Sequence, residues 1–141
     1  MGKYRIKQDA WRTATLALLR YQESKEELQE CVEESMTRDP ETRGRGSKQA
    51  HPDPTQAAAI RLTNNARYRR LRRETQAVEN AIEDLNDIQK EIIRHRFWMH
   101  RKGHRKPCPY QYMHGLGYEQ AQMQRIVRRV IIAVAVALGE I

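Results

Sequence analysis

The sequence predicts an all-α fold, with long N-terminal helices followed by a C-terminal helix-turn-helix, on three observations. Apolar residues recur at three- and four-residue steps, the period of a helix with one buried face. Aromatic residues make up only 6% of the 141-residue chain and charged residues 31%, so a large single core is not expected. Proline and glycine gather in 37–54 and between Gly103 and Gly117, which divides the chain into 1–36, an assembly or scaffold helix; 37–54, a flexible linker; 55–85, a long connecting helix; and 86–141, the helix-turn-helix.

Residues 4–36 read as one helix. Ala10, Ala14, Ala17, Leu18, Tyr21, Leu28, Val32 and Met36 form its apolar edge, and QESKEELQECVEES sets dense acid opposite. The stripe is too narrow to stand alone, so it must pack on another helix of the chain or on a second subunit, making homo-oligomerisation through the N-terminal helices one expectation. Thr37–Pro54, TRDPETRGRGSKQAHPDP, is almost without apolar residues and reads as loop. Thr55, after Pro54, is the expected cap of a second helix reaching Leu85. Arg67, Arg69, Arg70, Arg72 and Arg73 surround that helix rather than line it, so pairing with Glu23, Glu26, Glu27 or Glu30 and contact with phosphates both stand open.

A third helix begins at Asn86 or Asp87, carries Ile88, Ile92, Ile93 and Phe97 on one face, extended by Trp98 and Met99, and ends at Gly103. Pro109 suits the first position of a short helix in which Tyr112 and Leu116 share a face, and Gly115 and Gly117 supply a tight turn. A longer helix from Glu119 follows, with Met123, Ile126, Val127, Val130, Val134 and Leu138 as its buried stripe. Gln120, Ala121, Gln124, Arg125 and Arg128 occupy the outer side near its start, the layout of a helix that reads the major groove of DNA.

Charge supports that reading. Residues 86–141 hold ten Lys or Arg against four Asp or Glu, a net of +6 of the chain's +8, whereas residues 1–36 hold six against seven, a net of −1. Cations displace condensed counterions from phosphates, and Arg and Gln pair with guanine and adenine edges. The expected base readers are therefore Gln120, Gln122, Gln124 and Arg125, and the expected phosphate contacts Arg101, Lys102, Arg105, Lys106, Arg128 and Arg129, all on double-stranded DNA.

Other chemistry finds less support. His95, His100, His104, Cys108 and His114 lack a CxxC or HExxH signature, and Gly103 and Pro107 interrupt any shared helix, so neither a metal nor another cofactor is expected. Catalysis is not expected: the C-terminal third offers only Asp87, Glu91, Glu119 and Glu140, with no P-loop and no GxSxG. The longest apolar run, Val130–Leu138, has nine residues, too few for a membrane span. MGKYRIKQDAW has no apolar signal core, and Cys31 and Cys108 read as reduced thiols, so a cytoplasmic location is the expectation.

EIIRHRFW at 91–98, the basic loop, the short helix, LG and a last helix ending in ALG resemble region 4 of bacterial primary sigma factors. With TNNARYRRLRRETQAVENAIEDL at 63–85 and QRIVRRVIIAVAVALGEI at 124–141, the chain over about residues 55–141 is also similar to the RinA-type phage transcriptional regulators. The resemblance implies DNA binding and contact with host RNA polymerase in activating late or packaging genes, inside a bacterial host and without catalysis. It also implies that Cys108 and Pro109 open the first helix, that Tyr112 and Leu116 fill its core, that Gly117 turns, and that Glu119, Gln120, Gln122, Gln124 and Arg125 begin the reading helix. Two departures stand out: Tyr118-Glu119 replaces the usual Ser, Thr or Asp cap, and Ala121 and Gln122 replace positions often charged, so the recognised sequence need not be a standard −35 box. A small terminase subunit, which pairs a helix-turn-helix with oligomerising helices, and a helical RNA polymerase adaptor are the alternative readings.

Overall fold

A computed structural model describes residues 7–37, 54–99 and 106–140; the expected linker, all of it but its first and last residues, and the Gly103 helix end lie outside them. Every regular element among the described residues is helical, with no strand: α1 (Gln8–Leu19), α2 (Tyr21–Thr37), α3 (Pro54–Asn64), α4 (Ala66–Ile82), α5 (Asp87–Ile93) continued by a π-helical turn (Arg94–Trp98), a 3₁₀ turn (Tyr110–Tyr112) and α6 (Gln120–Ala137). The expected all-α class is what the structure has.

The two long helices expected at 4–36 and 55–85 are each divided. Neither break has a proline or glycine to announce it. Arg20, at φ −91° and ψ 0°, separates α1 from α2, and at this bend the Leu18 carbonyl accepts the Trp98 Nε1–H at 2.7 Å. Asn65 separates α3 from α4: its backbone is extended and its Oδ1 accepts the Tyr68 N–H at 3.0 Å, the capping bond that lets asparagine compete against continuing a helix. At the other end of the pair, Pro54 itself opens α3, a position where the missing N–H costs nothing, rather than Thr55 capping it.

Each break lets the two halves face different partners. α2 runs antiparallel to α4 and α3, as the contacts Tyr21–Glu79, Arg20–Glu74, Glu27–Arg67 and Ser35–Arg61 show, and this arm has a thin interior of Ser24, Cys31, Ser35, Ala58 and Leu71. α1 instead packs against α6. Its alanines Ala10, Ala14 and Ala17, all at most 3% exposed, present no bulk, so the two backbones approach closely while Leu18 fills the core. The principal core joins α1, the second half of α4 through Ala77 and Val78, Ile92 and Ile93 of α5, Phe97, Met113 and the stripe of α6. Residues 8–19 therefore belong to the same packed unit as residues 87–138, a partition of the core that differs from the boundaries read along the chain.

α5 is built as its sequence indicates at one end. Asn86 caps it, with Oδ1 accepting from Gln89 N at 2.8 Å and Gln89 Oε1 accepting from Asn86 N at 3.1 Å, a reciprocal box. Ile92, Ile93 and Phe97 are buried, but Ile88, expected beside them, is 50% exposed because it lies a turn ahead of the point where α5 meets the core. Met99 and Met36 are exposed as well.

Tyr21 holds arm and head together. Its ring lies 5.1 Å from that of Trp98 and its hydroxyl donates to Glu79 Oε2 at 2.7 Å. Desolvation first, and the carboxylate partner second, push the phenol well above its ordinary value of 10.0. The neutral phenol is thus the form the fold favours, so its contribution is complete below pH 10 and is lost as pH rises further and the unfolded chain ionises. Urea denaturation should show stability falling above about pH 10, and Tyr21→Phe should flatten part of that fall. In the same measurement at neutral pH, Ala14→Leu should cost about 1–3 kcal/mol by forcing α1 off α6, whereas an unchanged midpoint would show that α1 is not packed there.

Candidate nucleic-acid interface

α6 is amphipathic over its first ten residues and apolar on most sides after them, so its N-terminal half alone offers polar side chains to a ligand. Met123, Ile126, Val127, Val130, Ile131, Val134, Ala135 and Leu138 face inward. At 100° per residue, the remaining polar residues fall on two adjacent lines. Gln122, Arg125 and Arg129, at i, i+3 and i+7, form an outward ridge, and all three are exposed. Gln120, Gln124 and Arg128, at i, i+4 and i+8, are exposed on a shoulder nearer α1, where the Arg128 guanidinium lies 5.7 Å from the Trp11 ring centre. The residues expected to read bases are thus outside the core, yet divided between two faces roughly 130° apart.

The start of α6 is set by its own side chains. Glu119 is the cap residue, with extended backbone, and Gln122 Oε1 accepts the Glu119 N–H at 2.9 Å. The glutamate that departs from the family's usual cap is therefore supported by the glutamine three residues on, and the Gln122 carboxamide oxygen is engaged at the cap, with its amide left as donor. No acid lies between Glu119 and Glu140, so the three arginines of α6 act without a carboxylate on their own helix.

The connection into α6 differs from the short helix expected after Pro109. Pro109 has ψ 141°, outside the helical region, and only the single 3₁₀ turn Tyr110–Tyr112 forms. Tyr112, expected to fill a core, is 67% exposed; Met113 is buried in its stead and Leu116 is half-buried. The physical reason is the clamp on this segment. Cys108 N–H donates to the Arg96 carbonyl at 2.8 Å, the Arg96 guanidinium donates back to the Cys108 carbonyl, and it also stacks 4.0 Å from the centre of the Tyr110 ring. With both backbone groups of Cys108 used by the π-helical turn, the chain beside it is held extended. The Tyr110 phenol is raised above its usual value by burial, which the nearby Arg96 charge partly offsets. Gly115 and Gly117 adopt φ of 77° and 79°, the left-handed values anticipated for the turn.

Among the expected phosphate contacts, Lys106 is exposed where the described chain resumes, Arg128 and Arg129 lie on α6 as above, and Arg101, Lys102 and Arg105 fall outside the described residues. No protein-family model, curated protein or solved structure matches this chain. Among the described residues, no group of three His, Cys, Asp or Glu could hold a metal: His95 sits 3.9 Å from Glu91, His114 is exposed, Cys108 is half-buried, and His100 and His104 are outside the description. Nor is any described helix long and apolar enough to cross a membrane.

One arginine of α4 takes an expected glutamate partner, and two make contacts of another kind. Arg67 pairs with Glu27 at 3.2 Å, Arg72 donates to the Tyr68 hydroxyl at 3.0 Å and Arg73 donates to the Leu138 carbonyl at the end of α6, while Arg69 and Arg70 stand exposed. What reading along the chain missed is a cleft of about 310 Å³ beside the shoulder of α6, lined by Trp11, Thr15, Arg96, Phe97, Tyr110, Gln124 and Arg128 among others. Trp11 shares a helical face with Ala14 and Leu18, which was the available signal for it; nothing local signals Arg96 or Tyr110. Removing the Gln122 cap should be visible apart from any ligand: Gln122→Ala should lower stability by about 0.5–1 kcal/mol in urea melts, and no change would mean that Glu119 caps α6 unaided.

Proposed function

We propose that this chain is a double-stranded DNA-binding transcription regulator of the RinA-like phage type, with α6 as the helix that enters the major groove. The observation that carries this reading is the exposed Gln122–Arg125–Arg129 ridge, flanked by Gln120, Gln124 and Arg128, on a helix without acid between Glu119 and Glu140. An α-helix fits the major groove, and arginine and glutamine are the side chains that make paired hydrogen bonds to guanine and adenine there. α5, which packs on α6, acts as the supporting helix of a sigma region 4-like head, in place of a helix at Pro109. Within this reading Arg125, along with the free amide of Gln122 and the carboxamides of Gln120 and Gln124, meets base edges, and Lys106, Arg128 and Arg129 meet phosphates, together with Arg101, Lys102 and Arg105.

The arm has another part to play. α2 carries six Glu against one Lys, so DNA is repelled from it and a protein surface, such as that of host RNA polymerase, suits it better. Action inside the host cell, on late or packaging genes, follows from the same resemblance.

Selection from a random duplex pool tests the whole reading, with enrichment of a defined motif as the expected result and no enrichment as the result against it. On the selected site Arg125→Ala should cost about 1–3 kcal/mol and relax preference at one position, and an equal loss on random DNA would remove Arg125 from the base readers. Arg129→Ala should instead weaken all duplexes alike and reduce the slope of log affinity against log salt by about one.

A further inference from the structure

The cleft between α1, the π-helical turn and α6 joins Gln124 and Arg128, which the major-groove reading also uses, to Trp11, Thr15, Arg96 and Tyr110, which it does not. The rings of Trp11 and Tyr110 line it above the buried Phe97, and among the described residues no carboxylate lines it. Two guanidiniums stand over two of those rings, Arg96 at 4.0 Å from Tyr110 and Arg128 at 5.7 Å from Trp11. Thr15 lines the cleft, its hydroxyl buried without a hydrogen-bond partner among the described residues, and the exposed Gln124 presents a carboxamide there. A buried hydroxyl without a partner costs stability, so a ligand group that bonds it offsets that cost.

These walls select a planar, π-faced, anionic occupant with a polar edge. Aromatic walls stack a ring, guanidiniums favour both the ring face and a phosphate, and the amide with the hydroxyl offers donors and acceptors to the edge of a heterocycle. At about 310 Å³ the space is at the small end of ligand pockets, which suits a mononucleotide rather than a larger cofactor. We propose that this cleft binds one nucleotide unit, its base among Trp11, Phe97 and Tyr110 with its edge on Thr15 and Gln124, and its phosphate on Arg96 and Arg128. The nucleotide is either free or an unstacked position of DNA, and only the second source rests on the DNA-binding reading.

The test uses the full chain and the four deoxynucleoside 5′-monophosphates, followed by tryptophan fluorescence, with Trp11→Phe to assign the signal to Trp11 rather than Trp98. At least one monophosphate should saturate the signal and bind about tenfold more tightly than its nucleoside or inorganic phosphate, the factor that one charge-assisted hydrogen bond supplies. Thr15→Val, which keeps the shape of the side chain, and Gln124→Ala, on the surface, should each weaken that binding several-fold while leaving the fold intact by circular dichroism. In parallel, the chain is titrated with a fully paired duplex and with the same duplex bearing one unpaired base. Tighter binding to the second, lost in Thr15→Val, identifies DNA as the source; equal binding to both, with a monophosphate saturating, identifies a free nucleotide. Monophosphate binding without any duplex binding upholds the cleft and overturns the regulator. Duplex binding with no saturable monophosphate and no preference for the unpaired base overturns the cleft and leaves the regulator standing. Binding that neither Thr15→Val nor Gln124→Ala alters also overturns the proposal.

Discussion

Burial of one stripe of α6 against α1, α4 and α5 at once is the constraint on which the rest of this structure depends. Met123, Ile126, Val127, Val130, Ile131, Val134 and Leu138 are each at most 6% exposed, and each buried aliphatic side chain of this size contributes about 1.5–3 kcal/mol against the entropy of ordering the chain. Because that stripe is covered from three sides, α6 has a single orientation in the head. Its polar residues then have no choice of direction: Gln122, Arg125 and Arg129 point outward because their neighbours point inward. The surface offered to a partner is a consequence of the core.

The same constraint explains the alanine face of α1. A helix that must lie beside α6 without displacing α4 or α5 needs small side chains at the contact, and Ala10, Ala14 and Ala17 supply them. The bend at Arg20 and the Leu18–Trp98 hydrogen bond then turn the chain from the head into the arm, where the buried Ser24, Cys31 and Ser35 give α2 an inner face with little apolar surface. Charge follows this division. The acidic helix α2, with six Glu against one Lys, faces the arginines of α4 and pairs Glu27 with Arg67, while the acid-free helix α6 sits in the head.

Much of this was legible from local rules. The stripe of α6, the Asn86 cap of α5 and the left-handed glycines 115 and 117 all follow from period, capping and steric preference, which act within a few residues and so are written in adjacent positions. The breaks at Arg20 and Asn65 were not, because helix propensity runs through both. Pro109 was read as a helix start by the preference of proline alone, and the clamp that Arg96 places on Cys108 overrides that preference. The pairing of Arg67 with Glu27, forty residues away, could not be separated from its alternatives before the arm was folded.

By itself, then, the sequence determined that the long stretches are helical, which of their faces are apolar, where the positive charge lies and which side chains begin the last helix. Only the tertiary structure decided that α1 completes the head, that the glutamines and arginines of α6 fall on two lines, and that Trp11, Thr15, Arg96, Tyr110 and Gln124 enclose one cleft. The reason is physical: helix formation depends on neighbours within four residues, whereas a cleft built from residues 11 and 128 exists only when distant apolar faces have chosen each other, a choice among many similar stripes that no single stripe encodes.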